Sequence, residues 1–149
     1  ELSTSDASKR RHNIPLCVRL SVFSKSKFME NEHLILGEKG EDLAENYLVR
    51  KGYFILERNW KNRHEEIDII ARHDAWLVIV EVKLRSSKAF GKPYDNIGIR
   101  KQRLLVNAAE AYIIKHNSNL ETRFDVVSII CTTTGHEIQH IEGAFSPFD

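Results

Sequence analysis

From residue 37 onward the apolar positions of the chain switch between a helical and a strand spacing. Over residues 37 to 51, Leu43, Tyr47 and Leu48 fall on one helical face and Gly52 supplies the stop. Phe54 to Asn59 then reads as a strand. Two β-branched runs follow, Glu66-Ile67-Asp68-Ile69-Ile70 and Trp76-Leu77-Val78-Ile79-Val80-Glu81-Val82-Lys83, parted by His73-Asp74-Ala75 in the manner of a hairpin. The helical period returns over residues 97 to 115, where Leu104, Leu105, Ala108, Ala111 and Tyr112 would cover the sheet. Thr122 to Cys131 reads as another strand, with Phe124, Val126 and Ser128 alternating against Asp125, Val127 and Ile129. His136 to Ile141 forms a short last strand, and Gly143-Ala144-Phe145 leads into a polar tail. The order is that of an αβββαβ core.

Side chains alternate along a strand, so Glu81 and Lys83 share one face while Val80 and Val82 share the other. An isolated Glu-x-Lys at a strand end is ordinarily a solvated ion pair. Here an apolar run leads straight into Glu81, the preceding strand carries Asp68, and the first helix carries Glu41. A hairpin register that sets Asp68 beside Glu81 brings two acids and a lysine to one end of the sheet. Such a cluster is costly unless a cation compensates it. Asp68 and Glu81 are hard oxygen ligands suited to Mg²⁺ or Mn²⁺, which bind through one or two carboxylates and keep several waters. A cation there would neutralise a phosphodiester and lower the pKa of an attacking water. Glu38, Glu41 and Glu45 lie on one helical side, and by spacing alone they read as a solvated acidic face. Asp125 reads as structural.

The ordered motifs extend well beyond these charges. They comprise Gly37-Glu38-Lys39-Gly40-Glu41, Tyr47-Leu48, Gly52-Tyr53-Phe54-Ile55-Leu56-Glu57-Arg58-Asn59, Glu66-Ile67-Asp68, Val80-Glu81-Val82-Lys83, Phe90-Gly91-Lys92-Pro93, Lys101 and Arg123-Phe124-Asp125-Val126-Val127. Over nearly all of residues 35 to 130 the chain thereby resembles the YraN-like family of small bacterial proteins, related to the archaeal Holliday junction resolvases. Its site resembles that of the restriction-endonuclease-like superfamily, written Pro-Asp, a spacer, Asp or Glu, any residue, and Lys. The resemblance implies an α/β, restriction-endonuclease-like fold with a mixed central sheet flanked by helices. It implies an endonuclease with Glu41, Asp68, Glu81 and Lys83 as the catalytic set. Asp68, Glu81, the Val82 carbonyl and Glu41 would hold Mg²⁺ or Mn²⁺, with Lys83 orienting the water. Branched DNA such as a Holliday junction is the implied substrate, and a homodimer the implied assembly. Two positions depart from these patterns: Glu65 stands where many YraN-like proteins have Gly, and Ile67 where the nucleases have Pro. Neither removes a charged group.

Charge refines the picture. Residues 1 to 28 hold six Lys or Arg against two acids, so with +1 for the whole chain the remainder carries −3. That basic segment lacks periodicity and is expected to be a leader outside the domain of residues 29 to 149, with Met29 as its start. Contacts to DNA phosphates would therefore be local. The candidates are Arg85, Lys88 and Lys92 in and after the active strand, and Arg100, Lys101 and Arg103 at the start of the second helix, Lys101 serving as a second cation for the phosphate. Gly91-Lys92-Pro93 reads as a basic loop able to close over DNA. Two cysteines, Cys17 and Cys131, suggest no disulfide framework and fit a reducing cytoplasm. No apolar run is long enough for a membrane span.

His136-Glu137-Ile138-Gln139-His140 matches the His-Glu-x-x-His zinc signature. That chemistry needs a helix, and histidines four apart on a strand stand ~13 Å apart. Zinc is therefore not expected, and the other histidines, His64 and His73 among them, read as solvent-facing. A second reading of the whole is a non-catalytic module that binds DNA structures or proteins on a nuclease fold.

Overall fold

The computed structural model describes residues 28–86, 97–132 and 134–147. Helix α1 spans Phe28–Arg50 and is followed by strands β1 (Phe54–Asn62), β2 (Glu65–His73) and β3 (Trp76–Ser86). Helix α2 (Ile99–His116) and strands β4 (Glu121–Cys131) and β5 (His136–Phe145) complete the chain order. The strands form one sheet in sequential order, and β3 and β4 run parallel while the other neighbours are antiparallel. This is the expected α/β architecture with a mixed sheet and an αβββαβ core. The crossover between the parallel strands contains α2, as a parallel pair requires.

Each face of the sheet has its own core because the central strands are apolar on both sides. Ala44 and Leu48 of α1 pack with Tyr53, Ile69, Ala71, Val78, Val80, Val127 and Ile129. On the opposite face Leu105, Ala108, Ala109 and Tyr112 of α2 pack with Trp60, Ile67, Ile70, Leu77, Ile79, Phe124 and Val126. The two sets interleave along β3 and β4 with the strand period of two. Neither helix is long and apolar enough to cross a membrane.

Several boundaries differ from those the sequence suggests. Helix α1 begins at Phe28 rather than residue 37 and continues through Gly37 and Gly40. A glycine weakens a helix without ending it, and Gly40 sits where the helix comes close to Leu84 and Ile129. The far end is as expected. Gly52 adopts φ 89°, Gly52 N–H donates to Val49 O and Tyr53 N–H to Leu48 O, a Schellman closure. Helix α2 ends in the same way with Asn117 at φ 48°. Strand β1 runs on to Asn62, past a left-handed Asn59, and places Trp60 in the α2-side core. Strand β5 runs on to Phe145 because Gly143, at φ 59°, lets two extra residues bulge between the pairs Val126↔Ile141 and Phe124↔Phe145.

Candidate active site

The hairpin register follows the sequence reading. β2 and β3 pair from His73↔Trp76 to Ile69↔Val80, and one further step would set Asp68 opposite Glu81. The ladder stops there. Before Ile69, β2 pairs with β1 alone, through Trp60↔Ile67, Lys61↔Glu66 and Asn62↔Glu65. Beyond Val80, β3 pairs with β4 as far as Ser86↔Cys131. Asp68 and Glu81 thus stand on the two arms of a fork in the sheet. The fork frees the Val82 N–H from the ladder, and Asp68 Oδ2 accepts it at 2.7 Å.

Burial and charge at the fork are severe. Glu81 is only 8% exposed, although it is ionisable. Among the described residues its Oε2 atom is buried without a hydrogen bond. Lys101 Nζ, reaching in from the first turn of α2, lies 2.9 Å from that oxygen. The contact is an ion pair without hydrogen-bond alignment, so the oxygen keeps its acceptor capacity. Burial, and after it the charge of Glu81, pushes the Asp68 carboxyl up to about 7, against the opposing pull of the Val82 N–H and Lys101. The charge of Glu41 raises it as well, so this part of α1 is electrostatically linked to the fork.

Glu41 itself faces another partner. Arg58 of β1 places Nη2 at 3.5 Å from Glu41, and its Nη1 at 2.9 Å from Asp42 and 2.7 Å from Glu45. The acidic side of α1 is therefore collected by one guanidinium rather than left to solvent. Among the described residues no three His, Cys, Asp or Glu side chains converge on one point. A metal at the fork would rest on Asp68, Glu81 and the Val82 carbonyl, with water filling the remaining positions, while Glu41, paired with Arg58, is linked to the fork through its charge alone. That donor set suits a hard divalent cation that keeps its waters. The buried, unbonded Glu81 oxygen is the observation that fits such a cation.

Lys83 follows Glu81 on the same face and is half-buried. Among the described residues it makes no ion pair or hydrogen bond. Beside it in the parallel ladder is Ser128, whose fully buried hydroxyl also lacks a partner among the described residues. Arg85 continues the face. Arg100 and Arg103 are exposed on α2. Lys101 is not among these outward cations, since the structure turns it into the acid pair. Lys88, Lys92 and the Gly91-Lys92-Pro93 loop lie outside the described residues, as does Cys17.

Sequence reasoning overlooked Arg58 and Ser128. A glutamate stripe at helical spacing was a signal that some cation must answer it, whereas nothing in the local sequence marks Ser128. It also placed His73 in solvent. That ring is stacked on Tyr53 with centroids 4.0 Å apart. The His-Glu-x-x-His segment lies in β5 as expected, and His140 is buried against Asp125 rather than poised beside His136. Asp125 accepts from both Arg123 Nε and Nη2 at 2.9 Å, from the Gly143 N–H at 3.0 Å, and pairs with His140 Nε2 at 2.9 Å. The structural role read for Asp125 agrees with this network. An apolar cleft of about 730 Å³ near Trp76, Phe124 and Phe145 contains none of the fork residues.

Comparison with known proteins places these motifs in a wider group. The model of a family described as "Uncharacterised protein family UPF0102" matches residues 40–129. A UPF0102 protein of Flavobacterium psychrophilum is 47% identical over 117 residues, covering 78% of this chain and 98% of its own length. UPF0102 proteins of Bacteroides fragilis and Flavobacterium johnsoniae are each 43% identical, over 78% of this chain and 96% and 98% of their own lengths.

Proposed function

The chain belongs to the UPF0102 family, and we propose that it is an Mg²⁺- or Mn²⁺-dependent endodeoxyribonuclease of the restriction-endonuclease-like superfamily. The observation that carries this reading is the fork itself. A buried carboxylate and a half-buried one meet at the point where paired strands part, the buried one with an oxygen that no hydrogen bond closes among the described residues, and a lysine follows two residues later on the same face. Structural ion pairs are ordinarily closed by hydrogen bonds. This one is met at 2.9 Å by the Lys101 ammonium without hydrogen-bond alignment, so a stronger cation could take its place.

A divalent cation at the fork supplies charge neutralisation and an acidified water. The rest falls to residues of the chain. Asp68 is oriented by the Val82 N–H, so its second oxygen is aimed without a search through rotamers. Lys83, free of other partners among the described residues, is placed to orient the attacking water and to stabilise charge gathering on the phosphoryl oxygens. Ser128, the register partner of Lys83 on β4, brings no counter-charge to that face. Arg85, Arg100 and Arg103 provide phosphate contacts around the site, which lower the cost of bringing a polyanion to a domain of net negative charge. The family resemblance makes branched DNA the first substrate class, with a dimer as the form that would act on two strands.

The test is cleavage of labelled single-stranded, duplex, flap and four-way-junction DNA with Mg²⁺ or Mn²⁺, beside the Asp68→Ala and Lys83→Ala proteins. Cleavage lost in both variants with DNA binding retained is the expected result. Absence of cleavage by every form, with every metal, sinks the nuclease and favours a binding module.

A further inference from the structure

We propose that Lys101 is a tethered counter-ion that occupies Glu81 until a divalent cation displaces it, so that lysine and metal compete for one carboxylate. The proposal rests on the metal-binding reading above.

Its first support is position. Lys101 belongs to the first turn of α2, and that turn is anchored. Lys101 N–H donates to Gly98 O at 2.8 Å, Gln102 Nε2 donates to Ile97 O at 2.7 Å, and Ile97 is buried. The root of the lysine is fixed while its four-carbon stem remains free to turn. Its side chain is 35% exposed against 10% for Glu81, so the ammonium can leave for water whereas the carboxylate cannot follow. The second support is the quality of the contact. Nζ approaches to 2.9 Å, yet Oε2 gains no hydrogen bond. A permanent buried pair would be expected to close that bond. The third is stoichiometry. One ammonium offsets one carboxylate, and among the described residues Asp68 remains beside it with a backbone N–H but no cation in hydrogen-bond contact. A divalent ion offsets both. Lys83, which shares the strand face with Glu81, makes no ion pair with either acid among the described residues, so it does not perform this task.

Displacement would have a consequence for substrate. An ammonium released from Glu81 at the start of α2 stands next to Arg100 and Arg103, where a phosphate is its natural partner. Metal loading would thereby convert an internal cation into one directed at DNA.

The experiment is a titration of the full chain with Mn²⁺ alone, at fixed pH and ionic strength, following bound metal by calorimetry or by the loss of the free-ion spin-resonance signal. Lys101→Gln is expected to tighten Mn²⁺ binding by about tenfold, the scale of removing one competing ion pair. Lys101→Arg keeps the charge and should return the affinity towards that of the unsubstituted protein. Lys115→Gln removes the same charge ~21 Å along the helix, beyond a Debye length, and should change the affinity by less than about twofold. Circular dichroism in EDTA checks folding, and Lys101→Met, which keeps the stem, repeats the titration if the Gln variant does not fold. Mn²⁺ binding that is unchanged or weaker in Lys101→Gln, while Asp68→Asn abolishes it, overturns the competition and leaves the metal site standing. No Mn²⁺ bound by the unsubstituted protein or by Lys101→Gln overturns both.

Discussion

Val82 donates its backbone N–H to Asp68 Oδ2 across 2.7 Å, so the main chain of one strand fixes the carboxylate of the strand that has just parted from it. The bond is made possible by the fork, since a continued ladder would have claimed the N–H. It also links the geometry of Asp68 to its charge state, because a carboxylate accepts that bond more strongly than a carboxylic acid does.

Asp68 should make stability fall as pH rises. Its folded-state value, pushed up to about 7 from 3.8, means that the folded protein holds a proton the unfolded chain has already released. The contribution is fully present below the unfolded value and is lost as pH rises through the folded one, by at most about 4 kcal/mol. Asp125 and Glu142, whose values are lowered, act in the opposite sense at lower pH. Denaturant unfolding in EDTA at several pH values should therefore be compared with Asp68→Asn. The stability difference between the two proteins is expected to shift between pH 4 and 7 and to level off above. A difference independent of pH would show that Asp68 titrates normally.

Divalent metal should stabilise the fold. A ligand that binds only the folded state at about 100 times its Kd adds about 2.7 kcal/mol. Thermal melts with and without Mg²⁺ or Mn²⁺ should show a higher Tm with metal in the unsubstituted protein. Glu81→Gln, which keeps the shape and removes a ligand charge, should show little or no rise.

Asp125→Ala should be among the most destabilising single changes available. It would strip a fully buried carboxylate from Arg123, His140 and the Gly143 N–H at once. Removing one partner of a buried pair typically costs about 3–5 kcal/mol. Urea unfolding measures the loss. Because this network lies on the α1 side of the sheet, away from Lys101, Mn²⁺ affinity of whatever folded protein remains should be unchanged.

Two glycines should respond with opposite sign. A Cβ on Gly40 would meet Leu84 at 3.8 Å, ordinary contact, so Gly40→Ala should gain up to about 1 kcal/mol of helix stability. Gly52 holds φ 89°, and Gly52→Ala should lose about 1–2 kcal/mol even though nothing crowds the position. Chemical denaturation of the pair is a direct check.

Much of the fork was legible because it depends on local pattern. Alternation places Glu81 and Lys83 together, whereas the register that carries Asp68 towards Glu81 stays conditional in the sequence and is set by the two-residue turn after His73. Resemblance supplied Glu41, which spacing alone assigned to solvent. What stayed hidden was what only tertiary packing decides. Lys101 and Glu81 are twenty residues apart, and no periodicity says that a helix will aim one lysine inward while Arg100 and Arg103 face out. Arg58 belongs to a strand but answers glutamates on a helix. β1 and β5 run further than the pattern suggests because Asn59, at positive φ, and Gly143, at a bulge, read as stops but lie inside longer strands.

The irregularity of β1 bears on how the molecule meets its neighbours. β1 lies at the border of the sheet, with its outer hydrogen-bonding groups facing away from β2. Its register slips between Ile55 and Glu57, Asn59 turns left-handed, and Arg58 and Lys61 bring charge to the same stretch. A foreign strand seeking a straight template would find only short segments in phase. The bend that carries Arg58 to the helix thus also guards this border against indiscriminate strand addition and the aggregation that follows from it.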